Sequence, residues 1–320
     1  MDTQSTASVA LVVHLTGEYC TLKESSAVDG AARLINAAMT LRTLDGEAEL
    51  FVRKYVPIRR DNGCTLVVIH GAGEHGGRYG HFIEQVVHAG WTVIAGDLRG
   101  HGRSGGVPTH LDRFEQYLED LDLIWSHFQL HPQTTAVFAH SMGGLVAIRF
   151  AQTRKERMAA LALSAPLLGL RVRVKMLKRA VGKLCSVVRP TTRFRTEVKM
   201  SHITRNDEVL DNRELDPWIQ RSVTAGWFFQ VQQAVTAAHL EAVNFDVPLL
   251  FLQGDADEVV NHEMANDWLE QIASTDCTKR IMPEHFHEII NEPGWERTTQ
   301  EILKWFHPRM TPATPSRRAA

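Results

Sequence analysis

The stretch TTAVFAHSMGGLVAIRF, residues 134–150, places a serine between an apolar run and a helical segment. TTAVFAH is typical of a buried strand and LVAIRF of a helix, so Ser141 falls on the turn between them. Such a turn holds a serine hydroxyl clear of the sheet and points the helix N-terminus at a reacting carbonyl. The stretch predicts a nucleophilic serine; the alternative is a serine that caps a helix after a glycine-rich turn.

Ala139 departs from the common G-x-S-x-G pattern, which has a glycine two residues before the serine. That residue must be small because strand and helix nearly touch there, and alanine adds one methyl group. Gly143, which frees the start of the helix, is present. We interpret the stretch as a variant of the turn that can still present its serine.

Similar apolar runs recur along the chain with helical segments between them. Runs that are apolar on both faces and spaced by helices predict parallel strands that are covered on both sides. The fold class is therefore α/β, with a mostly parallel central sheet flanked by helices. The further runs are 65–70, 91–97, 159–164 and 247–253.

The chain before residue 65 has a different pattern. Residues 39–43 and 48–56 alternate and are separated by Asp45-Gly46, which predicts an antiparallel hairpin at the edge of the sheet. A short helix is predicted near 28–38. Residues 1–38 are otherwise interpreted as an N-terminal extension of unknown role.

The regular spacing of strands breaks once, between the runs at 159–164 and 247–253. A gap of this length is either an inserted cap or several helices that lie on the sheet. We interpret residues 167–243 as a helical cap inserted after the sixth strand, which leaves 39–166 and 244–308 as the two parts of the core. Residues 309–320 are Pro-rich and polar and are expected to be a disordered tail.

Composition excludes several classes of function. The 320 residues carry a formal net charge of -2, and Lys plus Arg is matched by Asp plus Glu, which argues against a nucleic-acid partner. The four cysteines lie far apart and in no metal-ligand spacing, so neither a zinc site nor a disulfide framework is implied. No metal and no cofactor is expected. The apolar run 9–15 is too short to span a bilayer and lacks the flanks of a secretory signal, so a cytoplasmic location is expected.

A second glycine-rich loop, His70-Gly71-Ala72-Gly73, directly follows a predicted strand. Its backbone N–H at Ala72 and the N–H of Met142 can point at one position and stabilise an oxyanion there. The alternative is a glycine-rich turn that binds no ligand.

An acid and a base are expected on later loops, in the chain order Ser, Asp, His. Residues 254–260 offer Asp255 and Asp257, and residues 284–288 offer His285 and His287. Both loops follow predicted strands, at the carboxyl edge where sites of α/β sheets collect.

Six motifs in order carry a family resemblance. They are HGAGEHGGRY (70–79), DLRGHGRSGG (97–106), AHSMGG (139–144), LSAP (163–166), GDADEVV (254–260) and HEIINEP (287–293). Over residues 40–308 the chain resembles the monoacylglycerol lipase and lysophospholipase branch of the α/β-hydrolases.

The resemblance implies a role for particular residues. It implies Asp257 as the acid and His287 as the base beside the nucleophile Ser141. Glu74 and Arg78 either line the side of the leaving alcohol or pair with each other.

The expected function is a serine hydrolase that cleaves esters of single-chain lipids through an acyl-serine intermediate. The alternatives are a broader carboxylesterase or thioesterase, and an inactive binding protein of the same fold. Residues 167–189 carry seven Lys or Arg and no acid, with apolar residues at helical spacing. This segment predicts a peripheral contact with anionic lipid through the cap; the alternative is a packed cap helix with a solvated basic face.

Overall fold

A nine-stranded sheet forms the centre of the computed structural model, which describes residues 21–24, 34–58, 61–155, 157–171 and 176–311. The strand order is β1-β2-β3-β5-β4-β6-β7-β10-β11, and the six strands from β5 to β11 run parallel. The strands, with the small pair β8 and β9, are β1 Thr21–Glu24, β2 Leu34–Arg42, β3 Glu49–Pro57, β4 Thr65–Ile69, β5 Thr92–Gly96, β6 Thr135–His140, β7 Ala160–Ser164, β8 Arg193–Arg195, β9 Ser222–Thr224, β10 Leu249–Gly254 and β11 Cys277–Met282.

Helices cover both faces of this sheet. Every residue of β6, β7 and β10 is buried, and since successive side chains point to opposite faces, both faces must be covered. The helices are α1 Gly80–His88, α2 Glu115–His127, α3 Met142–Thr153, α4 Met176–Val188, α5 Asp207–Leu215, α6 Ala225–Leu240, α7 His262–Leu269 and α8 Trp295–Phe306. The α/β fold and the five core strands predicted from the sequence are thus confirmed. Among the described residues, no helix is long and apolar enough to cross a membrane.

The predicted hairpin forms, but it does not lie at the edge of the sheet. β2 and β3 pair antiparallel around Gly46, whose φ is 73°. β1 pairs with the outer side of β2, so the strand before the cap is the seventh in the chain and not the sixth.

The prediction of a helix near 28–38 is wrong for the part of this segment that the structure describes. Leu34–Ala38 belong to β2, because pairing with β3 overrides the helix propensity of the alanines; residues 28–33 lie outside the described residues. The core therefore begins ahead of residue 39.

The predicted disordered tail starts too early. Arg309 makes an ion pair of 2.6 Å with Asp276, and the Thr311 N–H donates to the Gln133 carbonyl at 3.0 Å. These contacts hold residues 309–311 against the core. The remainder of the predicted tail lies outside the described residues.

The segment between β7 and β10, residues 165–248, is called the insertion. It contains α4, β8, α5, β9 and α6, and α6 packs against both α3 and α4. The end of α6 is fixed to the core because the Ala238 carbonyl accepts from the Trp268 indole at 3.1 Å and from the Gln152 amide at 2.8 Å. The insertion thus has an inner part on the core and an outer part formed by α4, α5 and the β8–β9 pair.

The exposed surface of α4 carries basic and apolar side chains together. Arg179 and Lys183 are exposed, and so are Leu177 at 78% and Leu184 at 65%. Lys178 bonds the Arg195 carbonyl and Glu197, and the Lys183 ammonium lies 5.0 Å from the centre of the Phe229 ring. The helix approaches α6 through Gly182, its buried residue.

The turn at Ser141 depends on close contact between α3 and β4. Ser141 has φ 51° and ψ -116°, a conformation that non-glycine residues rarely adopt. A Cβ at Gly143 would overlap the His70 carbonyl oxygen and lie 2.5 Å from that of Ile69. Ala139, fully buried beside Ile69 and Leu163 in the sheet register, fits without displacing its neighbours.

We expect Gly143→Ala to lower the free energy of unfolding by about 1–3 kcal/mol, because its methyl group forces α3 away from β4. Gly80→Ala is the matched control, since a Cβ there meets no atom within 4 Å. Thermal unfolding should show a lower Tm for Gly143→Ala and an equal or higher Tm for the control. Equal Tm values for the two variants would contradict the close contact.

Candidate active site

Three side chains from three loops meet in a line of hydrogen bonds at the carboxyl edge of the sheet. Ser141 follows β6, Asp257 follows β10 and His287 follows β11. The Ser141 hydroxyl lies 2.9 Å from His287 Nε2, and His287 Nδ1 lies 2.8 Å from Asp257 Oδ2. This arrangement can move a proton from the serine to the imidazole while the carboxylate fixes the imidazole's tautomer.

The other two candidates in the loop sequences, Asp255 and His285, lie outside this line of hydrogen bonds. Asp255 accepts from the Glu284 N–H at 2.7 Å, and His285 bonds the Pro283 carbonyl at 2.8 Å. Asp255 thus joins its loop to the loop after β11, His285 bonds within its own loop, and neither side chain joins the line at Ser141.

Asp257 is fully buried and its carboxylate is stabilised by four groups. Oδ1 accepts from the Val259 and Val260 N–H groups at 2.7 and 3.2 Å, and Oδ2 faces His287 and Gln253. Burial alone would raise the pKa of Asp257, but His287 and the backbone N–H groups outweigh it and lower that pKa. The carboxylate therefore stays ionised beside the imidazole.

His287 is buried, and two opposing effects act on its pKa. Burial lowers the pKa of His287, but the charge and hydrogen bond of Asp257 outweigh burial and raise it. Its neighbour His140, 4.8 Å away between ring centres, has a pKa lowered to about 4 by burial and by His287. His140 therefore stays neutral near pH 7, and His287 is the imidazole that takes up the proton.

The sequence predicts that the backbone N–H groups of Ala72 and Met142 stabilise an oxyanion. In the described part of the chain, no protein group accepts a hydrogen bond from either N–H. Gly71, directly before Ala72, lies so close to Ser141 that a Cβ there would be 3.2 Å from the Ser141 Cβ. Both N–H groups thus remain available to a ligand beside the serine.

Glu74 and Arg78 pair with each other, but they also belong to a larger buried cluster. Arg78 lies 2.6 Å from Glu74 and forms two hydrogen bonds with Glu288 at 2.7 and 2.8 Å. Arg213, from α5 of the insertion, lies 3.1 Å from the same Glu288. We call these four residues the charge cluster.

The charge cluster adjoins the serine and also holds the Ala72 loop in place. Glu74 accepts from the Gly71 N–H at 2.5 Å, which fixes the backbone directly before Ala72. Burial would raise the pKa of Glu74, but Arg78 outweighs it and holds that pKa well below its usual range. The cluster therefore contains two carboxylates and two guanidinium groups, all charged.

Sequence reasoning missed Glu288 and Arg213. Glu288 directly follows His287, so its position in the loop was a usable signal. Arg213 had none, because a contact across 75 residues depends on how α5 folds back on the core.

A cavity of about 370 Å³ opens beside Ser141. Most of its wall is apolar and comes from the insertion, whereas Glu74, Glu288 and Arg213 lie on its polar side. The apolar lining includes Leu167, Leu170, Val223, Trp227, Phe228, Phe229, Val231 and Val235.

Comparison with known proteins identifies the family. The family model described as Serine aminopeptidase, S33 (Hydrolase_4) matches residues 61–294, which is more than half of the chain. The chain belongs to this hydrolase family. Its α/β-hydrolase fold and its class, an ester hydrolase, agree with what the sequence motifs implied.

Several relatives of this hydrolase carry more specific names. It is 31% identical to Phospholipase YtpA of Bacillus subtilis over 73% of this chain and 91% of that protein. It is 28% identical to a monoacylglycerol lipase of Mycolicibacterium smegmatis over 75% of this chain and 87% of that protein. The crystal structure of a Paleococcus ferrophilus monoacylglycerol lipase matches with a TM-score of 0.75 and 29% identity, covering 82% and 99% of the two chains.

The raised pKa of His287 predicts the pH dependence of ester hydrolysis. The base must be neutral to accept a proton, so kcat/KM should fall as the pH drops through the pKa of His287. We expect the half-maximal point above about pH 6.5, the value of a free imidazole. A pH profile with a short p-nitrophenyl ester checks this, with Tm measured at each pH to exclude unfolding; a half-maximal point below that value would contradict the pairing with Asp257.

Proposed function

We propose that this hydrolase cleaves esters of single-chain lipids, above all monoacylglycerols, through an acyl-serine intermediate. One observation carries the proposal: Ser141 and His287, hydrogen-bonded to each other and backed by Asp257, line a cavity whose wall is mostly apolar. An acyl chain needs such a wall, and its ester carbon needs such a nucleophile.

Acylation starts when the Ser141 hydroxyl attacks the ester carbon and His287 takes its proton. The carbonyl oxygen becomes an oxyanion, which accepts hydrogen bonds from the N–H groups of Ala72 and Met142. Asp257 stabilises the imidazolium cation. When the carbon–oxygen bond breaks, His287 gives the proton to the leaving alcohol, and the acyl group stays on Ser141.

Deacylation repeats these steps with water in place of the serine hydroxyl. His287 takes a proton from the water as it attacks the acyl-serine, and returns this proton to the Ser141 oxygen as the bond breaks. The fatty acid leaves and the free serine is restored. The insertion, over residues 167–243, acts as the cap that shields the acyl chain from water during this cycle.

The charge cluster supports an uncharged alcohol on the leaving side. Its two carboxylates and two guanidinium groups sum to no formal charge, and each is largely buried. A phosphate group placed against the cluster would meet Glu74 and Glu288 at close range while Arg78 and Arg213 are already paired with them, and burial makes such repulsion costly. A glycerol hydroxyl carries no such penalty and can both donate and accept.

Labelling with a fluorophosphonate probe tests the nucleophile. We expect the native protein to be labelled and Ser141→Ala to remain unlabelled, with esterase activity lowered by about a thousandfold or more. Among substrates, monoacylglycerol should give a higher kcat/KM than a lysophospholipid of the same acyl chain. Labelling that survives Ser141→Ala refutes the nucleophile, and faster hydrolysis of the lysophospholipid refutes the preference for an uncharged alcohol.

α4 supports a peripheral contact with lipid surfaces. Four apolar side chains recur on α4 at helical spacing and are all exposed: Leu177, Val181, Leu184 and Val188. Their exposure to water is unfavourable in free energy unless an apolar phase covers them. The helix also belongs to the cavity wall, because Lys178, Arg179 and Gly182 line it. Contact through this face would bring a membrane-bound substrate to the cavity.

We expect a variant with Leu177→Ser, Leu184→Ser and Val188→Ser to bind vesicles about tenfold more weakly or worse, because it loses apolar area at the interface. Co-sedimentation with phosphatidylcholine vesicles, with and without anionic lipid, measures this. Leu44→Ser is the control, since Leu44 is 75% exposed but lies in the β2–β3 turn. Unchanged binding of the triple variant would contradict a contact through α4.

A further inference from the structure

Gln253, near the end of β10, contacts Asp257 from beneath the site. Its side-chain Nε2 donates to Asp257 Oδ2 at 3.1 Å, the same oxygen that faces His287 Nδ1 at 2.8 Å. Gln253 is only 2% exposed, and it is not among the described residues that line the cavity. Gln253 therefore affects the reaction through its hydrogen bond to Asp257 and not through contact with a substrate in the cavity.

The direction of the Gln253 amide follows from its surroundings. Nε2 also lies 3.2 Å from His262 Nε2, on the first turn of α7, and 3.3 Å from the Gly254 carbonyl oxygen. All three neighbours accept hydrogen bonds when His262 carries its proton on Nδ1, so they select the donor end of the amide. Rotating the amide would place its oxygen against the Asp257 carboxylate.

This orientation of the amide leaves its oxygen, Oε1, without a hydrogen bond to any described residue. Gln253 Oε1 is buried and has no partner in the described part of the chain. An unpaired buried oxygen is unfavourable, so the contacts at Nε2 must outweigh it. A side chain that served only to fill space at the end of β10 would not need a donor there.

We propose that Gln253 is a positioning residue for ester hydrolysis, which holds the Asp257 carboxylate in place while His262 orients the Gln253 amide. This inference rests on the proposed function of Ser141, His287 and Asp257. Backbone N–H groups hold Oδ1 of Asp257, whereas among the described residues Oδ2 has only Gln253 besides His287 itself. Gln253 therefore keeps Oδ2 fixed while His287 gains and loses its proton.

The same hydrogen bond also limits how strongly Asp257 acts on His287. A donor on Oδ2 takes up part of the carboxylate's charge, so removing the donor leaves more charge facing the imidazole. The pKa of His287 should then rise further. Loss of Gln253 thus has two expected effects, a lower kcat and a shift of the acid limb to higher pH.

The first test replaces Gln253 by methionine, which is similar in size and shape but has no donor. We expect Gln253→Met to lower kcat on a p-nitrophenyl ester about tenfold, a loss below that of a proton-transfer group itself. KM should stay within about twofold, because Gln253 does not line the cavity, and the acid limb of kcat/KM should move to higher pH. The downfield proton resonance of the His287 Nδ1–H should shift or broaden.

Gln152→Met is the matched control for the loss of a buried amide. Gln152 is 5% exposed and donates to the Ala238 and Glu241 carbonyls, near the end of α3 that is remote from Ser141. We expect it to lower Tm while leaving kcat and the pH profile of the folded protein unchanged. His262→Ala should change the kinetics in the same direction as Gln253→Met but by less, since His262 acts only through Gln253.

Gln253→Glu keeps the shape of the side chain and tests whether a hydrogen-bond donor is needed at this position. It is also the second test if Gln253→Met does not fold. Burial and the adjacent Asp257 raise the pKa of the introduced carboxyl group, and its protonated form can donate as the amide does. We therefore expect near-native kcat at the lower end of the active range and a new basic limb where the introduced group ionises.

The inference is wrong if folded Gln253→Met keeps the native kcat and acid limb, or if Gln253→Glu shows no new basic limb. Failure of the proposed function would look different. In that case the native protein itself would lack esterase activity and probe labelling, or Ser141→Ala would retain them.

Discussion

The close approach of α3 to the end of β4 is the constraint on which the site depends. Gly143 meets the carbonyl oxygens of His70 and Ile69 directly, and this contact lets the chain turn at Ser141 with a positive φ. The same contact brings the loop after β4 beside the serine, so one packing contact positions both Ser141 and the Ala72 N–H. Gly254 acts similarly at β10, where a Cβ would overlap the His285 carbonyl oxygen and lie 2.5 Å from that of Phe286. Because Gly143 and Gly254 have no side chain, the loops after β4, β6 and β11 can approach one another closely at the ends of β4 and β10.

Sequence reasoning succeeded where a residue's position follows from local pattern. The core strands could be predicted because burial on both faces leaves a continuous apolar run, and Ser141 because the strand, turn and helix lie within one short stretch. The loop sequences alone did not separate Asp257 from Asp255; the family resemblance selected between them. Leu34–Ala38 were misassigned because an alanine-rich segment carries no sign of the strand it will pair with. Arg213 could not be found, since its contact with Glu288 exists only in the folded chain.

The cavity beside Ser141 offers two different environments. The insertion gives it a largely apolar surface interrupted by polar side chains such as Arg179 and Gln232, so under the proposed function the fit of the acyl chain depends on shape and size. The charge cluster presents groups that are already paired with one another, so under the same proposal the choice of alcohol depends on charge. The hydrogen-bonded line through His287 and Asp257 runs between these two environments, and it is continued away from the cavity by Gln253 and His262.

The insertion contributes a cation to the charge cluster, and this limits how freely the two parts of the molecule can diverge. Without Arg213, Glu74 and Glu288 would share the single guanidinium group of Arg78 in a buried setting. A chimaera that exchanges the insertion for one from another hydrolase would need to supply a matching cation or to neutralise one carboxylate. The insertion and the core of this protein are therefore not interchangeable modules, and changes in one are constrained by the charge balance of the other.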